Sequence, residues 1–108
     1  MKKLTLDSGL RLLAQQNFKQ VHTACIEAIK VDVKNPVAYF LLGVIASEHG
    51  NHDKAVELYT TAESFDANEP YYPAYLAKTL STLRKQNDAR IAAGRATAIV
   101  GDNAYLLD

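Results

Sequence analysis

Apolar residues recur at helical spacing along most of this chain. Over 18–31, Val21, Ala24, Cys25, Ala28 and Ile29 follow the i, i+3, i+4, i+7, i+8 pattern of one helix face. Similar patterns predict helices over 4–15, 37–48, 52–65, 72–84 and 87–99. Between them stand short polar breaks. Gln16-Asn17, Gly50-Asn51 and Gln86-Asn87 read as turns, because Asn and Gly end one helix and start the next. Asp32 to Pro36 and Asp66 to Pro70 read as longer polar connectors, with Pro suited to the first turn of the helix that follows. No segment alternates with period two, so no sheet is expected and the fold class is all-α.

The breaks are themselves periodic. Pro36 and Pro70 lie 34 residues apart, as do Gly9 and Gly43. At that period the chain divides without a gap into 2–35, 36–69 and 70–103, each a helix–turn–helix. Repeat position 8 holds Gly9, Gly43 and Ala77, and position 20 holds Val21, Ala55 and Ala89. Position 24 holds Cys25, Tyr59 and Ala93, position 27 holds Ala28, Ala62 and Ala96, and position 11 holds Leu12, Ala46 and Leu80. Small residues recur where two helices must approach closely, and larger apolar ones stand between them.

These residues resemble the tetratricopeptide repeat family, whose pattern is W-x2-L-G-x2-Y, then A-x3-F, then P, over 34 residues. Repeat two fits best, with Tyr39-x2-Leu42-Gly43-x2-Ala46, then Ala55-x3-Tyr59, then Ala62. It departs at Ala46, where an aromatic is usual, and at Ala67, where Pro is usual. Repeat one has Thr5 and Ser8 for Trp and Leu but keeps Gly9, Phe18 and Ala28. Repeat three keeps Leu76-Ala77, Leu80, Ala89, Ala93 and Ala96, with Pro73 at the Trp place. The resemblance implies one domain over 1–108: a right-handed α-solenoid of three units, about six helices, and a short C-terminal helical piece begun at 104–108. It also implies a non-catalytic scaffold that binds proteins or peptides on its concave face.

In this family the concave face is built mainly from positions 2, 5, 6, 9, 12 and 13. The resemblance therefore points to Leu6, Leu10, Phe40, Leu41, Val44, Tyr71, Tyr75 and Lys78 as peptide-binding residues. This set is mostly apolar, as interaction surfaces often are. Tyr71 and Tyr75, at i and i+4, offer aromatic anchors with a polar edge. A subclass of the family grips a C-terminal carboxylate with Lys, Arg and Asn; here those places hold Leu6, Leu10, Leu41, Tyr71 and Tyr75. A carboxylate clamp is therefore not expected, and an apolar or amphipathic segment suits the face better.

Composition narrows the function. Twelve Lys and Arg balance twelve Asp and Glu, which argues against a general nucleic-acid binder and a polybasic membrane anchor. The middle repeat is acidic, while repeat one and repeat three (Lys78, Arg84, Lys85, Arg90, Arg95) are basic. That asymmetry can steer a partner or favour contact between copies, so a homo-oligomer stays open. Cys25 stands alone, which excludes an intrachain disulfide and fits a cytoplasmic setting. It occupies a packing position and is expected to be a buried, inert thiol. His49 and His52, beside Glu48 and Asp53, are read as solvated loop residues because Gly50-Asn51 breaks any face they share. No phosphate loop, nucleophile elbow or HExxH pair is present, so no catalysis, cofactor or metal is expected.

The last residues, Tyr105-Leu106-Leu107, admit two readings. They fold back to cap the third unit, or they begin a fourth unit of a longer array. The second reading is similar to bacterial proteins that join such an array to a transferase domain, for instance a sulfotransferase. A regulatory or docking segment of a larger enzyme is then the alternative to a free-standing scaffold, and a self-associating module is a third.

Overall fold

The computed structural model describes residues 4–106, and side chains over residues 4–101. Six helices follow one another: α1 (Leu6–Ala14), α2 (Phe18–Val31), α3 (Pro36–Glu48), α4 (His52–Phe65), α5 (Tyr71–Thr82) and α6 (Gln86–Leu106). α3 packs on α4 and α5 on α6, while α1 meets both α2 and α3. α2 packs on α3 and α4 on α5, so the three pairs stack in sequence order as a helical solenoid.

Capping chemistry sets the helix starts. Thr5 and Ser8 form a capping box, so α1 begins at Leu6 and not at residue 4. Asn35 and Asn51 side chains accept from the Ala38 and Lys54 amides at the heads of α3 and α4. The connectors are closed by carboxylates: Asp32 accepts from the Lys34 amide and Asp66 from the Asn68 amide, each at 3.0 Å.

Each turn within a pair is the same device. The residue at repeat position 15 takes the left-handed conformation: Gln16 (φ 63°), Gly50 (φ 79°) and Arg84 (φ 62°). Its amide and the next one reach back into the preceding helix, as Gly50 to Ser47 (3.0 Å) and Asn51 to Ala46 (2.8 Å). In the third unit this places the turn at Leu83–Lys85, earlier than the Gln86-Asn87 turn expected from sequence, and α5 ends at Thr82. Only Gly50 is the residue that geometry favours. Gln16→Gly and Arg84→Gly are each expected to stabilise the protein by about 0.5–1 kcal/mol, by removing the left-handed penalty of an L side chain. Thermal unfolding of each variant checks this; an unchanged melting temperature would show that no such penalty exists.

The core centres on the middle pair. α3 is apolar on nearly every face because α1, α2, α4 and α5 surround it, and Ala38, Phe40, Leu41, Gly43 and Val44 are buried. Phe40 meets the rings of Tyr59 (5.5 Å), Tyr72 (5.2 Å) and Tyr75 (4.8 Å). The small residue at position 8 has a direct cause. A Cβ on Gly9 would strike the Leu41 side chain, and one on Gly43 would lie 2.6 Å from the Tyr59 ring. Arg95 on α6 clasps Glu63 on α4 through two nitrogens, at 2.7 and 2.8 Å, tying the second and third units.

Two further expectations need correction. α6 does not end at residue 99: it runs unbroken to Leu106, so no separate helical piece begins at 104. The cause is local. Asp32 and Asp66 end α2 and α4 at repeat position 31, whereas Val100 stands at that position in the third unit. The expected capping by Tyr105, Leu106 and Leu107 falls on side chains outside the described ones. Position 24 also diverges: Cys25 and Tyr59 are buried, but Ala93 is exposed because no further helix covers it among the described residues.

Candidate functional site

Position 9 of each first helix places Leu10, Val44 and Lys78 around one hollow of about 370 Å³. Leu13 and Ala14 from the end of α1 and Tyr75 from α5 complete its apolar lining. Glu48 and Lys78, opposite in charge and both exposed, stand on the α3 and α5 walls. The hollow thus spans all three units and is lined by both apolar and polar side chains.

Tyr75 is half-buried and touches the core through Phe40 and Tyr59. Burial raises its phenol pKa, with Tyr71 and then Glu48 adding to the shift. The hydroxyl therefore stays neutral and can both donate and accept a hydrogen bond. Tyr59, beneath it, is fully buried and shifted upward by the same cause.

The structure distributes the sequence-assigned residues unevenly. Leu10, Val44, Tyr75 and Lys78 come together. Leu6 is half-buried against the core on α1. Phe40 and Leu41 are 0% exposed, so neither offers a surface to a ligand; they support the floor from below. The reason is tertiary: the α5 tyrosines close over Phe40, and Leu41 packs down onto Gly9. Tyr71 is 48% exposed and lines a different hollow, between α5 and α6.

Five lining residues lay outside the sequence assignment: Leu13, Ala14 and Glu48, at repeat positions 12 and 13, and Gln16 and Phe18 at the first turn. Phe18 also stacks edge-on against His49 at 5.0 Å, joining the first and second units. Position 17 carries no signal of this, since the contact arises only when one turn stacks on the next. His49 Nδ1 lies 2.8 Å from the Ile45 carbonyl, so this ring packs and caps its own helix end. Among the described residues no group of three or more His, Cys, Asp or Glu is placed to hold a metal. Cys25 is fully buried, and burial pushes its thiol up to about 12, which leaves it a poor nucleophile. No helix among the described residues is long and apolar enough to cross a membrane.

No family model and no curated protein sequence matches the chain. Solved structures do. MamA superposes with TM-score 0.79 at 20% identity, over 90% of this chain and 57% of MamA. The Yersinia enterocolitica type III secretion chaperone SycD, solved with a peptide of the translocator YopD, gives 0.76 at 17%, over 88% of this chain and 72% of that one. PcrH, solved with the chaperone-binding region of PopD, gives 0.76 at 17%, over 94% and 82%. The chain therefore has a tetratricopeptide-like solenoid fold, and it spans little more than half the length of the MamA chain it matches.

Proposed function

We propose that this protein is a non-catalytic binding module that holds a peptide segment of a partner protein in the hollow between α1, α3 and α5. The observation that carries this reading is the convergence of position 9 from three units, Leu10, Val44 and Lys78, on one hollow beside Tyr75. Two neighbours in fold, SycD and PcrH, were solved with peptides or regions of other proteins, which supports a peptide as the class of ligand. The floor suits one or two bulky apolar side chains, with Tyr75 offering a hydrogen bond at its edge. Glu48 and Lys78 favour a segment with a basic and an acidic residue on either side of the anchor. In this reading Leu10, Val44, Tyr75 and Lys78 meet the ligand, while Phe40 and Leu41 hold the floor in place.

A displayed-peptide selection against the intact protein tests this. Enriched peptides should share bulky apolar residues. Their binding should fall at least about tenfold on Ala14→Arg, which loses a contact and fills the hollow. Ala14 is exposed at the end of α1, so the melting temperature should hold. Failure to enrich any peptide, or enriched peptides indifferent to Ala14→Arg, would remove this hollow as the site.

A further inference from the structure

Phe18 borders two hollows. One is the concave hollow between α1, α3 and α5. The other, of about 540 Å³, lies beside the first turn and the start of α2. Only Gln16 and Phe18 line both, and Gln16 is exposed whereas Phe18 is half-buried, so the Phe18 ring stands as the partition between them. We propose that His49 is a positioning residue for peptide binding: it holds the Phe18 ring as that partition, and the partition sets how large an apolar anchor the concave hollow accepts. This inference rests on the peptide reading above and adds a specificity to it.

The backbone of Phe18 is fixed by its own unit. It opens α2 directly after the first turn, where the Gln16 amide donates to the Leu13 carbonyl at 2.9 Å and the Asn17 amide to the Leu12 carbonyl at 3.0 Å. That turn does not fix the side-chain torsions. The brace on the ring comes from the next unit. The His49 ring stands edge-on to it, with centroids 5.0 Å apart and planes at 70°, a geometry in which aromatic pairs attract. His49 is itself tied down. A carbonyl oxygen only accepts, so Nδ1 carries the hydrogen and donates to the Ile45 carbonyl at 2.8 Å. The brace is thus anchored to α3, the helix that also supplies Val44 and Glu48 to the hollow.

Stacking of the units does not by itself require this pair. Position 17 holds Phe18, His52 and Gln86, and position 14 holds Gln15, His49 and Leu83. Where the second unit meets the third, the same two places hold His52 and Leu83, so the pair of rings belongs to the first junction alone. That junction is the one that borders the concave hollow. While the ring stays, a side chain entering past Leu10 and Leu13 meets it at the first turn. If the ring is lost or swings away, the two hollows join and a longer anchor gains room.

Peptides enriched on the intact protein, remade in pairs with leucine or tryptophan at the anchor, test this by fluorescence anisotropy. The readout is the ratio of the two dissociation constants. Phe18→Ala should shift it about tenfold toward tryptophan. His49→Ala should shift it the same way by at least about threefold. His49→Phe keeps a ring against Phe18 and should leave the ratio close to that of the unsubstituted protein. A merely structural loss at this junction would weaken both peptides alike and leave the ratio unmoved. His49 is exposed, so circular dichroism should show an unchanged fold for its variants. If Phe18→Ala unfolds, Phe18→Leu takes its place. A ratio unmoved at either position overturns the proposal, as does His49→Phe shifting it as far as His49→Ala. The peptide reading fails separately, when no peptide is enriched or Ala14→Arg leaves the enriched ones bound; that outcome removes the site and this specificity with it.

Discussion

Phe40→Ala is expected to lower the stability of the protein by about 3–5 kcal/mol, the usual cost of truncating a fully buried phenylalanine. Phe40 has no exposed surface and sits against three tyrosine rings contributed by α4 and α5. Its loss opens a cavity at the junction of the second and third units, where the surrounding helices cannot collapse without breaking the stack. Against a total of about 5–15 kcal/mol for a domain of this kind, that is a large share. Urea unfolding followed by circular dichroism measures it through the shift in midpoint. Phe40→Leu keeps most of the volume and should cost about 1–1.5 kcal/mol. A loss below about 1 kcal/mol for Phe40→Ala would contradict that burial. The result also bears on the site: a binding defect in Phe40→Ala reports a damaged floor and not a lost ligand contact.

Gly43→Ala should destabilise by about 1–3 kcal/mol, although alanine is the better helix former. The added Cβ would lie 2.6 and 2.7 Å from two Tyr59 ring carbons and 3.3 Å from the Leu58 Cβ. Tyr59 is itself fully buried and wedged between Phe40 and Tyr75, so its ring has nowhere to retreat. Overpacking therefore outweighs the gain of about 1 kcal/mol in helix propensity. Gly94 supplies the opposite sign within the same protein. It lies inside α6, where an added Cβ would meet nothing within 4 Å, so Gly94→Ala should stabilise by about 0.5–1 kcal/mol. Thermal melts of the two variants should move in opposite directions. If Gly43→Ala stabilises as Gly94→Ala does, the close approach of α3 and α4 is wrong.

Much of this architecture is written locally. The helices over 18–31 and 52–65 coincide with those expected, because their apolar spacing and flanking Asn and Asp residues act within one or two turns of the chain. The period of 34 residues carries the stacking order, since identical units bury their faces only against neighbours. Boundaries at the third unit were less legible. Arg84 takes a left-handed conformation that its residue type does not announce, and Val100 allows α6 to run on where Asp would have stopped it.

For the site the division is sharper. Repeat position alone brought Leu10, Val44, Tyr75 and Lys78 to one surface. It also assigned Phe40, Leu41 and Tyr71 to that surface, and there only the assembled structure could decide. Exposure depends on side chains about one repeat away in sequence: Tyr72 and Tyr75 bury Phe40, and Leu41 is buried over Gly9. Tyr71 turns to the outer face because no helix among those described packs over it. The sequence by itself determined that the chain folds as six helices and in which order they stack, because apolar spacing acts within a few turns of the chain and the 34-residue period repeats the same pairing. Which apolar residues became core, which became groove and which were left uncovered was decided only by tertiary packing, because a side chain's access to water is a property of everything that surrounds it.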